Sequence, residues 1–123
     1  MKLIEAVSRV DALKQNCYTQ EDKIEWLSRL DHMVKTQIID THEGGEKVTF
    51  TGYDDSTDPH TELLIPAPFD EAYLRWMEAQ IDYHNGEYAK YNNSIQMFHT
   101  AYDAYRSHYN RNHMPIGHDI KFF

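Results

Sequence analysis

The run most suggestive of chemistry in this chain is His42-Glu43-Gly44-Gly45-Glu46. It opens like the His-Glu-x-x-His helix of a zinc protease, where two histidines one turn apart bind the metal and the glutamate acts as base. Glu46 stands where the second histidine must be, and two glycines oppose a helix there. Asp54-Asp55-Ser56-Thr57-Asp58 begins like a calcium loop, but Pro59 takes the place that needs glycine and Ile65 the place that needs a bidentate glutamate. Of the eight histidines, His108, His113 and His118 are evenly spaced. Steps of five do not stack on one helical face, and Pro115 interrupts them. The single cysteine, Cys17, has no partner for a disulfide or a Cys-x-x-Cys site. No phosphate loop, nucleophile elbow or dinucleotide fingerprint is present. We therefore assign no catalytic residue, no metal ligand and no cofactor.

The elements around these residues are more informative. A chain of 123 residues with 41% hydrophobic and 26% charged residues has the composition of one ordinary globular domain. Its formal net charge is -8. That gives no basic field for phosphates, so sequence-specific nucleic-acid binding and attachment to anionic membranes are not expected. No apolar run is long enough to span a bilayer, and the N-terminal stretch has no signal-peptide core, so the expected compartment is the cytoplasm.

The charge is localised. Residues 1–39 hold six acids and six bases, and residues 72–123 hold five of each. Residues 40–71 hold nine acids against Lys47 alone, together with three of the five glycines and three of the four prolines. Lys47 to Thr51 and Thr61 to Ile65 have strand-favouring composition, so a β-hairpin-like arm is expected over about residues 42–66. Its candidate contact residues are Phe50, Tyr53, Asp54, Asp55 and Asp58. The arm reads either as a solvated loop or as a contact element.

Helical spacing marks a first helix over Lys2 to Lys14 and a second from about Gln20 to Thr41, started by a Thr19/Asp22 capping box. After Pro66-Ala67-Pro68, with Asp70 as expected cap, Leu74, Met77, Ile81, His84, Tyr88, Tyr91, Ile95, Phe98, Tyr102, Tyr105 and Tyr109 follow alternating steps of three and four. The spacing favours one long C-terminal helix, with Gly86 offering a bend. A second column, Trp76, Tyr83, Met97 and Ala104, lies beside the first, while Arg75, Asp82, Gln96, Asp103 and Asn110 mark the expected wet side. The apolar columns read either as one broad core stripe or as a core stripe plus a self-association surface. Trp76, Tyr83, Met97, Tyr102, Tyr105 and Tyr109 are the candidate interface residues. The fold expected is mainly α: a small helical bundle with a long C-terminal helix and an inserted arm. One domain spans 1–115, and residues 116–123 form a tail ending in Phe122-Phe123, either frayed or docking on a neighbour.

Several blocks together resemble the head-tail connector (adaptor, neck) proteins of tailed phages and prophages. They are Tyr18-Thr19-Gln20-Glu21 into Trp26-Leu27, Ile38-Ile39-Asp40-Thr41-His42-Glu43-Gly44-Gly45, and Phe69-Asp70-Glu71-Ala72-Tyr73-Leu74-Arg75-Trp76 continuing to Tyr109-Asn110-Arg111. The resemblance implies a non-enzymatic virion protein, present in the host cytoplasm during assembly and in the virion neck afterwards. It implies a ring of about twelve copies beneath the portal protein, continuing the DNA channel and receiving the next neck protein. Two other functions fit the sequence: an acidic DNA-mimic inhibitor, and a small helical assembly or regulatory protein.

Overall fold

The computed structural model describes residues 1–116 and is mainly helical, with four α-helices. They are α1 (Leu3–Leu13), α2 (Gln20–Gln37), α3 (Glu71–His84) and α4 (Tyr88–Asn112), with two 3-10 turns at Ile39–Thr41 and Gly45–Lys47. One core cluster joins Leu3, Val7 and Val10 of α1, Leu27, Leu30 and Val34 of α2, Tyr73, Met77 and Ile81 of α3, and Phe98, Tyr102 and Tyr105 of α4. The bundle expected from the spacing is present.

Local chemistry sets both ends of α2. Thr19 accepts the Asp22 amide at 3.1 Å and Asp22 accepts the Thr19 amide at 3.3 Å, the reciprocal capping box. α2 stops at Gln37, short of the expected Thr41, and passes into the 3-10 turn. The Ile38 carbonyl is instead taken by the Thr41 hydroxyl at 2.7 Å and lies 2.6 Å from Nδ1 of His42. Asp70 precedes α3 but makes no side-chain cap; its carboxylate lies 3.2 Å from the Met1 amino group.

The single long helix is corrected to two. α3 ends at His84 and α4 begins at Tyr88. Gly86, at φ +75°, donates to the Tyr83 carbonyl at 3.0 Å, and Glu87 donates to the Asp82 carbonyl at 2.9 Å. That pair of bonds is a Schellman stop, which needs a left-handed residue after the helix. The chain then doubles back, because Trp76 meets Phe98, Ser94 meets Asp82 and Tyr83 meets Tyr91 in antiparallel order.

The β-hairpin-like arm is corrected as well. Among the described residues there are only two isolated bridges, Lys2 with Glu62 and His42 with Pro115. Residues 48–66 form a strap in which the Thr57 and Thr61 amides close local turns onto the Asp54 and Asp58 carbonyls at 3.1 and 3.0 Å, while other backbone groups bond to the bundle. The Thr61 and Pro59 carbonyls accept the Leu3 and Ile4 amides at 2.9 and 3.0 Å, satisfying donors in the first turn of α1. The amides of Tyr53, Leu64 and Ile65 go to Ser28, Asp31 and Tyr73.

Candidate functional site

The most exposed aromatic surface surrounds the α3–α4 turn. Tyr83 and Tyr88 are 50% and 61% exposed. The Tyr83 ring meets Tyr88 at 6.0 Å, Tyr91 at 5.4 Å and His84 at 5.5 Å. His84 stacks on Trp26 at 5.6 Å, and Tyr18 packs edge-on to Trp26 at 5.4 Å. The Tyr18 hydroxyl donates to the Asn85 side chain at 2.7 Å, tying the end of the α1–α2 connection to the turn. Six rings are therefore contiguous at this end of the bundle, five of them at least partly exposed around the buried Trp26. Such surfaces suit protein contacts, since aromatic side chains bury much area at little entropic cost.

Of the six candidate interface residues, the structure leaves Tyr83 and Met97 exposed. Trp76 is half-buried: its indole N–H donates to the Trp26 carbonyl at 2.8 Å and its ring packs on Phe98. Tyr102 and Tyr105 are corrected from interface to core, because the fold-back turns their face of α4 onto α2 and α3. The Tyr102 hydroxyl donates to Gln37 at 3.2 Å, and burial pushes the Tyr105 hydroxyl up to about 12. Tyr109 stacks on His113 at 3.7 Å. Phe122 and Phe123, the candidate tail contacts, lie outside the described residues.

In the strap, Phe50 and Tyr53 are half-buried and pack edge-on at 4.9 Å, with Phe50 also against His32 at 4.7 Å. Asp54, Asp55 and Asp58 are exposed. The Ser56 and Thr57 hydroxyls and amides hold the Asp54 carboxyl below its ordinary value. The strap is thus an ordered cover on the bundle.

Three polar groups escaped the sequence reading. Asp31 is fully buried and accepts from the Tyr53 hydroxyl at 2.5 Å, the Tyr73 hydroxyl at 2.6 Å and the Leu64 amide at 3.1 Å. Its signal was present: Ile24, Leu27, Asp31, Val34 and Ile38 continue a three-four seam, so a carboxylate occupies a core seat. Asp82, expected on the wet side, is buried between the Lys14 ammonium at 2.6 Å and the Ser94 hydroxyl at 2.5 Å. His42 is also buried, with Nε2 2.7 Å from the Asn110 side-chain oxygen and its ring against Tyr109. These groups are closed to solvent and join elements distant in sequence.

A mostly apolar cavity of about 300 Å³ runs between the strap and α4, lined by Ile39, Val48, Leu64, Pro66, Tyr105, His108, Tyr109 and His113. Among the described residues, no three His, Cys, Asp or Glu side chains converge as a metal site, and no helix is long and apolar enough to cross a membrane. No family model, no curated protein and no solved structure matches this chain.

Proposed function

We propose that this protein is a non-enzymatic structural subunit of a tailed-phage neck, a connector whose copies form a ring between the portal and the next neck protein. The observation that carries the reading is the exposed aromatic end of the α3–α4 hairpin. Tyr83 and Tyr88 there, with Met97 along α4, stand outside a filled core, on a helical segment whose charges balance. Ring closure requires one patch to meet a different patch on the next copy. The aromatic end supplies one patch, and the strap with its exposed Asp54, Asp55 and Asp58 supplies a contact or channel-facing element. An acidic channel wall repels duplex DNA and keeps it from adhering.

The test is assembly with the portal. Size exclusion with light scattering, followed by negative-stain microscopy of the chain mixed with portal rings, should show closed rings seated on the portal. Tyr83→Glu combined with Tyr88→Glu should abolish that seating while leaving helicity unchanged. A chain that stays monomeric at high concentration and leaves portal rings bare sinks the proposal.

A further inference from the structure

The Asp31 carboxylate has no part in the proposed assembly, yet the first limb of the strap, residues 49–57, closes onto it. That limb reaches the bundle chiefly through Tyr53, whose side chain packs against the core, and through Phe50. The Tyr53 amide donates to the Ser28 hydroxyl at 3.0 Å, the Tyr53 hydroxyl donates to Asp31, and Phe50 rests on His32. Cavities flank the limb on both sides, and Tyr53 lines each of them. One, of about 300 Å³, lies against α2 and is lined by Glu21, Ile24, Glu25, Tyr53, Asp54 and Asp55. The other, of about 310 Å³, separates the limb from the returning chain at Thr61 to Leu64. The returning chain is held far more firmly, with Leu63 and Ile65 in the core and the Leu3 and Ile4 amides bonded to Thr61 and Pro59.

We propose that residues 49–57 are a flap and that the Tyr53–Asp31 hydrogen bond is its latch, so that the flap opens as a unit away from α2 while the rest of the fold stays intact. Two opposing forces poise it. Closure gathers Asp54 and Asp55 around the same cavity as Glu21 and Glu25, four exposed carboxylates whose like charge favours opening. Closure also shuts Asp31 away from water without a paired cation, a desolvation cost that the three donors offset in part. The titratable groups facing Asp31 are Tyr53 on the flap, Tyr73 on α3, His32 on its own helix and, further off, Tyr102 and Tyr105 on α4. Burial holds the Asp31 carboxyl above its ordinary range, with the bonds from Tyr53, Tyr73 and Leu64 pulling the other way. Opening gives up the Tyr53 bond but admits water to Asp31, and because desolvation is the larger influence, the closed flap binds a proton at Asp31 more tightly than the hydrated, open one. Closure is strongest in acid and weakens as pH rises above the ordinary carboxylate value.

The proposal is independent of the ring reading and is tested on the isolated chain by amide hydrogen exchange, corrected for intrinsic rates. The protection of the amide at position 53, relative to core amides of α2 and α4, should fall as pH rises from about 4 and should grow with added salt, which screens the carboxylates. Tyr53→Phe removes the latch donor alone and should speed exchange at position 53 by about tenfold with core amides unchanged. Asp31→Asn keeps an acceptor without the charge. It should leave position 53 at least as protected as in the parent, with the dependence on pH reduced to that of the surface carboxylates. A flat pH profile in the parent overturns the latch. So does a Tyr53→Phe variant whose position 53 exchanges as before, or one in which all amides speed up together.

Discussion

The carboxylate of Asp82 illustrates how a single residue is decided by its neighbours. It is sealed among α1, α3 and α4, bonded to Lys14 and Ser94, and Lys14 is itself only 27% exposed. Removing the cation leaves a buried charge with one remaining side-chain donor, which is the costly way to break such a pair. Lys14→Met should therefore destabilise the protein by about 2 kcal/mol, less than for a fully buried pair because Lys14 keeps some solvent. Asp82→Asn added to that variant should recover a large part of the loss, since the uncompensated charge is gone. Urea unfolding midpoints at constant slope measure both, and a Lys14→Met midpoint equal to the parent refutes the assignment. Asp82 was misread because its place on the helix follows from spacing, whereas its burial depends on Lys14, 68 positions away. Asp31 is the opposite case: the α2 seam placed it inward, but only the fold brought it two tyrosines and an amide.

At the scale of elements, the turn at Gly86 decides the architecture. A β-carbon there meets nothing within 4 Å, so the cost of Gly86→Ala is that of holding an alanine at φ +75°, about 1 kcal/mol. Gly45 differs in kind. Its φ is not left-handed, but a β-carbon would sit 2.3 Å from the Ile39 carbonyl oxygen, a backbone atom that cannot swing aside. Gly45→Ala should cost about 2 to 3 kcal/mol, in the range of an overpacked site, and so exceed Gly86→Ala. Thermal or urea unfolding of the two variants side by side checks the order, and the reverse order contradicts it. The single-helix reading arose because both helices of the hairpin turn an apolar stripe toward one core. The three-four spacing then runs through the turn unbroken. Asn85-Gly86 was the stop signal, and periodicity cannot say that an axis has reversed.

For the whole molecule, the buried tyrosines set a limit on the alkaline side. Burial raises the hydroxyls of Tyr53, Tyr73, Tyr102 and Tyr109, and pushes Tyr105 up to about 12. Above the ordinary value of 10.0, the unfolded chain loses protons that the folded chain retains, so stability is intact below that pH and declines as pH rises through it. The ultraviolet tyrosinate signal should show only part of the nine tyrosines ionising near 10, with the rest appearing together with loss of helical circular dichroism. A single simple titration preceding any unfolding contradicts that account.

Much of this molecule was legible in the chain. The helices, the Thr19 cap, the core stripe and the confinement of the excess charge to residues 40–71 follow from local spacing and composition, because a helix repeats every 3.6 residues and leaves that period in the sequence. The reversal at Gly86, the burial of Tyr102 and Tyr105, and the replacement of a hairpin by a strap were decided only in the tertiary structure. The strap shows why most clearly. Its amides could pair across a hairpin or with Ser28, Asp31 and Tyr73, and the second choice wins because those partners are already held in place by the packed helices. The Leu64–Asp31 bond spans 33 positions, and no local pattern carries a contact of that range.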